Sequence, residues 1–197
     1  MEITRRCVQD ILLYGNQCKE WILLVVVLIC IITVAAQIVQ TKKGLCSVDF
    51  HTFFYKLFVY IFDAVYLTYS FYVTFGMRYI GMRQEVKWIP FKGIWTTPWE
   101  IPLLVENILL FLPFGILAPL TFSRFRNWKM VLKSAVVCSA LIEVLQYIFQ
   151  CGKSETDDCI LNCLGAMIGY GLFACGAYVK LFISKQNMQR KIEKELK

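Results

Sequence analysis

Charge is scarce in this chain: Asp, Glu, Lys and Arg make up 18% of its 197 residues, against about 25% in an ordinary soluble domain. Hydrophobic residues reach 58% and the mean hydropathy is +0.56, too much oil for a water-facing surface, so a soluble enzyme is excluded. Histidine is limited to His51, which removes most metal and acid–base motifs; at the start of an apolar run it reads as an interfacial packing residue. There is no H-E-x-x-H, no G-x-S-x-G and no phosphate-cradling glycine loop. The nine cysteines include no C-x-x-C pair and their number is odd, so they read neither as a zinc site nor as a disulfide framework. Cys30, Cys138, Cys163 and Cys175 sit inside apolar runs as soft packing residues, and Cys159 with Cys163, one helical turn apart, reads as helix-interface packing. No internal repeat appears, which weakens a transporter reading, because many alternating-access folds are built from repeats.

What the chain has instead is long apolar runs. Five are long enough to cross a hydrocarbon core, which takes about 20 helical residues: 21–40, 53–75, 102–121, 132–150 and 158–183. They define an all-α, polytopic transmembrane bundle as one domain (21–183), preceded by an N-terminal segment (1–20) and followed by a basic tail (184–197) that is expected to fray. Arg5, Arg6 and the later Val34-Ala35-Ala36 imitate a secretory signal, but apolar character resumes at Ile38 and the first helix reads as uncleaved. The net charge of +7 reads as loop lysine and arginine rather than as a nucleic-acid footprint. Lys plus Arg number 8 on the N-terminal side and 11 on the other, so the positive-inside rule places the N-terminus outside and the C-terminus in the cytoplasm.

An ionisable group in hydrocarbon calls for a partner or a task. Asp63 lies mid-span in the second run, with Lys56 two turns away, too far for a direct pair; hydrogen bonds from neighbouring tyrosines are expected to hold it. The last three runs carry Glu106 and Asn107, Glu143 and Gln146, and Asp158 and Asn162, each pair close to one helix end. At 1.5 Å per residue all six fall within roughly 12 Å of one membrane surface, the one read as extracytoplasmic. The cluster should face the bundle interior or a wet vestibule. The third and fifth helices begin at that surface, and their N-terminal ends suit acidic groups or a phosphate-bearing head group, with Lys153, Lys87 and Arg83 nearby in the loops. Three readings remain open: a hydrogen-bonded zipper that fixes helix register, a binding site for membrane lipids or an amphiphile, and an enzyme with Glu143 or Asp158 as its acid or base. No cofactor is expected and no metal site is assigned, although three carboxylates could hold a magnesium ion through oxygen ligands in the enzyme reading. Gly165 and Gly169 form a small-xxx-small pair, and Pro113 with Gly115 should kink the third helix. Lys87-Trp88-Ile89-Pro90-Phe91-Lys92-Gly93-Ile94-Trp95 mixes aromatic and basic residues as an interfacial segment should.

The run Glu106-Asn107-Ile108-Leu109-Leu110-Phe111-Leu112-Pro113-Phe114-Gly115, then Glu143-Val144-Leu145-Gln146, then Asp158-Cys159-Ile160-Leu161-Asn162-Cys163-Leu164-Gly165, resembles the VanZ-like family of bacterial membrane proteins, over about 87–172. Trp88-Ile89-Pro90-Phe91 is similar to that family's Asn-Leu-x-Pro-Phe loop, with Lys87 in place of the asparagine; Glu155 stands where an aspartate often precedes the second acid. The resemblance carries over Asn107, Pro113, Gly115, Glu143, Gln146, Asp158, Asn162 and Gly165. It implies a small polytopic protein of a bacterial, mostly Gram-positive, cell envelope, in a family whose founding member is associated with teicoplanin resistance. The expected activity is binding or masking of an amphiphile at the outer leaflet, such as a lipid-linked cell-wall precursor or a lipoglycopeptide. The alternative is an enzyme acting on a lipid or polyprenyl-linked head group.

Overall fold

A computed structural model describes residues 2–42, 49–76, 82–83, 101–152 and 156–195. Five α-helices dominate: α1 (Glu2–Lys42), α2 (Phe50–Phe71), α3 (Ile101–Thr121), α4 (Trp128–Phe149) and α5 (Thr156–Glu195). All five contain segments long and apolar enough to span a membrane. The protein is a multi-pass helical bundle. A π-helical turn (Tyr72–Gly76) extends α2 and a 3₁₀ turn (Ser123–Arg126) joins α3 to α4.

Local chemistry sets the helix ends. Asp49 caps α2: its carboxylate accepts the His51 amide at 3.2 Å and the Thr52 hydroxyl, and the Thr52 bond, above all, holds the Asp49 carboxyl below the usual carboxylate range. Asn127 caps α4 by accepting the Lys129 amide at 3.0 Å. Gln150 closes α4 in the left-handed region, φ 52° and ψ 39°, where a side chain with a Cβ is strained and glycine is usual.

The bundle is organised around α5, which packs most extensively against α3 and next against α4. Phe111, Val131, Ala135 and Ala166 form the buried centre, with Phe114, Phe125 and Tyr170 around it. The Tyr170 hydroxyl donates to the Arg126 carbonyl at 2.7 Å and so pins the α3–α4 turn to α5. Helix α1 lies mainly along α2. Outward faces of every helix carry exposed Leu, Ile, Val and Phe, among them Leu24, Phe58, Leu141 and Leu172, as lipid contact requires.

Two short strands, β1 (Met82–Arg83) and β2 (Cys151–Gly152), pair in parallel. The α2–α3 and α4–α5 connections therefore meet at one end of the bundle, the end where α3 and α5 begin and α4 finishes.

The structure departs from the sequence reading in three places. Helix α1 is continuous over 41 residues, about 60 Å, so the N-terminal segment is helical from Glu2 and the apolar span begins at Val8. The tail expected to fray is helical through Glu195, because 184–195 holds neither Pro nor Gly and is rich in straight-chain Lys, Gln, Arg and Glu. Pro113 does not break α3, which runs unbroken through both Pro113 and Pro119; with flanking turns locked against α5, the missing amide is tolerated as it is in other membrane helices.

Candidate functional site

Antiparallel α4 and α5 register their polar faces by a buried hydrogen bond: Asn162 Nδ2 donates to Ser139 Oγ at 2.8 Å. Ser139 shares an α4 face with Glu143 and Gln146, spaced by four and three residues, and the same face buries Val131 and Ala135. One turn toward the N-terminus of α5 from Asn162, Asp158 meets α3, where Asn107 Nδ2 donates to its Oδ1 at 2.5 Å. Asn107, Asp158, Asn162 and Ser139 are thus drawn together from three helices, and Gln146 lies two turns beyond Ser139 toward the end where Asp158 stands. Glu106, Glu143 and Asp158 are partly buried, and Asp157 is buried in the first turn of α5.

This convergence depends on backbone meeting backbone. A Cβ added to Gly165 would lie 2.1 Å from the Ile108 carbonyl oxygen, one on Gly169 2.1 Å from that of Leu112, and one on Gly115 2.0 Å from that of Ala166. No side chain fits in any of these gaps. The glycine Cα–H groups face carbonyl oxygens instead, the close approach that small residues permit between membrane helices. Gly165 and Gly169 continue the stripe of Asp158 and Asn162, so the contact that removes the space for side chains also sets Asn107 against Asp158. Gly115, read from the sequence as part of a kink, is a third element of this contact.

The site is rich in acceptors. Gln146 and Asn162 are each 3% exposed, and Gln146 Oε1 and Asn162 Oδ1 have no hydrogen-bond partner among the described residues. A buried carbonyl left unpaired costs about 1–3 kcal/mol, so two such atoms in one cluster mark a place where an incoming donor is strongly favoured. The positive end of α5 is met by the chain's own Asp157 and Asp158.

Asp63 lies apart, on α2, and accepts the Thr121 hydroxyl at 2.5 Å. The tyrosines expected to hold it are replaced by a threonine that also bonds its own helix, Thr121 Oγ1 lying 3.0 Å from the Leu117 carbonyl. Lys153, Glu155, Lys87 and Pro90 fall outside the described residues, as do the side chain of Arg83 and the aromatic-basic segment 87–95. Sequence reasoning missed Ser139, Asp157 and Thr121. Ser139 was findable, four residues before Glu143 on the face of Gln146; Thr121 carried no signal, because only the α2–α3 packing brings it to Asp63.

The model of the VanZ/LLP1 family matches residues 21–180. "Protein VanZ" from Enterococcus faecium is 29% identical over 70 residues, 36% of this chain and 43% of that protein. The chain thus spans less than half the length of that curated relative. No solved structure matches. With most of its length inside the family model, the chain belongs to the VanZ/LLP1 family.

Proposed function

We propose that this VanZ/LLP1-family membrane protein binds or masks an amphiphile through the α3–α4–α5 cluster at the outer leaflet of a bacterial envelope, and so contributes to teicoplanin-type resistance. The amphiphile is a lipid-linked cell-wall precursor or the acyl tail of a lipoglycopeptide. The observation that carries this reading is the pair of buried, unpaired carbonyl oxygens on Gln146 and Asn162 beside Asp158 and Glu143. A cluster serving only helix register gains most when every buried polar atom is paired; one that leaves two acceptors open suits a ligand. Family membership and the relative named VanZ support the envelope setting.

Expression in a susceptible Gram-positive host tests this. Tolerance should rise toward a lipoglycopeptide and much less toward the same glycopeptide core lacking its acyl tail. Glu143→Gln should abolish the gain at unchanged membrane abundance; loss of the protein itself would return the cluster to a purely structural role. Orientation is tested in a cysteine-free variant by a membrane-impermeant maleimide: a single cysteine at position 154 should label in intact cells and one at 123 should not.

The Asn107 amide clamped on Asp158 favours a second reading, a membrane enzyme acting on a lipid or polyprenyl-linked head group, since a carboxylate held by an amide with a second acid nearby can position a substrate for proton transfer. Mass spectrometry of extracted lipids separates the two: a new head-group product that vanishes with Glu143→Gln belongs to the enzyme reading.

A further inference from the structure

The chemistry of the open atoms narrows the head group, given that the cluster is a binding site as proposed above. Gln146 Oε1 and Asn162 Oδ1 are amide oxygens, which only accept. The Asn162 amide nitrogen is engaged by Ser139, so its carbonyl is the half left for a ligand. The surrounding ionisable side chains from α3, α4 and α5 are Glu106, Glu143, Asp157 and Asp158, all acidic, and no basic residue stands on α3, or within the last four turns of α4 or the first five of α5; the cations of this end, Arg83 of β1 with Lys87 and Lys153, belong to the connections outside the helices. The α5 N-terminus, which could attract an anion, already carries two aspartates in its first turn. Between the three helices a phosphate would thus meet carboxylates and carbonyl oxygens. An ammonium meets the opposite: N–H donors for Gln146 and Asn162, and positive charge for the acids.

We infer that the cluster recognises a primary ammonium on the head group of its amphiphile, with the Gln146 carbonyl as the acceptor that its N–H groups reach, in preference to phosphate. The proposal departs from the sequence reading of this surface as suited to phosphate, which drew on Lys87, Arg83 and Lys153 in the flanking loops. Charge alone does not satisfy the two oxygens, so a quaternary ammonium, which has no N–H, is a poor ligand.

The test uses the full chain in nanodiscs of phosphatidylcholine and three radiolabelled probes with one tail: dodecylammonium, dodecyltrimethylammonium and dodecyl phosphate. Dodecylammonium should bind saturably and at least tenfold more tightly than either of the others. Gln146→Leu should weaken it at least tenfold while leaving thermal stability equal or higher, since the substitution removes an unpaired acceptor. Gln146→Glu, which keeps the acceptors and discards the amide nitrogen, should retain binding. Saturable binding of dodecyl phosphate in preference, or equal binding of the trimethylated probe, overturns the ammonium assignment and leaves the binding-site reading standing. If none of the three saturates, the binding-site reading fails and the inference falls with it.

Discussion

Helices α1 and α3 are both apolar spans that contain a glycine, and they are held in opposite ways. Around Gly15 of α1 a Cβ would meet nothing within 4 Å, whereas one at Gly115 of α3 would meet the Ala166 carbonyl oxygen at 2.0 Å. Among the described side chains of α1, Cys18 is the buried hydrophobic residue, while α3 buries Pro102, Phe111, Gly115, Ala118 and Pro119. Helix α1 is a lipid-facing element leaning on α2; α3 is locked to α5 with no side chain between the two backbones at three points. Rigid spacing there holds Asn107 on Asp158, which side-chain packing of the α1–α2 kind would leave free to slide.

The contrast is broken most severely at the glycines. Gly165→Leu or Gly169→Val should destabilise the bundle by about 3 kcal/mol or more by forcing a side chain into a carbonyl, seen as loss of the protein from membranes, whereas Gly15→Ala should leave abundance unchanged or raised. Next comes the polar contact that the lock creates: Asn107→Leu, which removes a donor from Asp158, should cost about 1–3 kcal/mol in thermal unfolding from detergent. Gln150→Gly should shift the same transition upward by about 1 kcal/mol, because it relieves a left-handed residue at the end of α4. Thr121→Val, which removes a bond from α3 to Asp63, should cost about 0.6 kcal/mol, the usual worth of a polar contact between membrane helices. Leu24→Ala on the exposed face of α1 should change stability by less than about 0.5 kcal/mol; a larger loss would mean that α1 is packed against something other than lipid.

The five spans were legible because hydrophobic length is a one-dimensional signal. The common level of Glu106, Asn107, Glu143, Gln146, Asp158 and Asn162 was legible too, since antiparallel helices of known rise convert sequence offset into depth. Rotation about each helix axis was not. That is why Thr121 as the partner of Asp63, and Gly115 as a contact point against Ala166, emerged only from the packing. The small-xxx-small spacing of Gly165 and Gly169 announced a close approach without naming Ile108 and Leu112 as its targets.

The glycine contact also dictates an order of assembly. Helix α3 leaves the ribosome roughly 50 residues before the segment of α5 that it must meet, a delay on the order of several seconds at ordinary elongation rates. During that interval Glu106 and Asn107 lie in or beside the insertion channel without Asp158, and Gly115 faces whatever helix happens to be near. The α3–α4 hairpin is thus a client awaiting its last helix, exposed to quality-control proteases until the final span is delivered, and a truncation just before Asp158 should be cleared from the membrane faster than one that removes only 184–197.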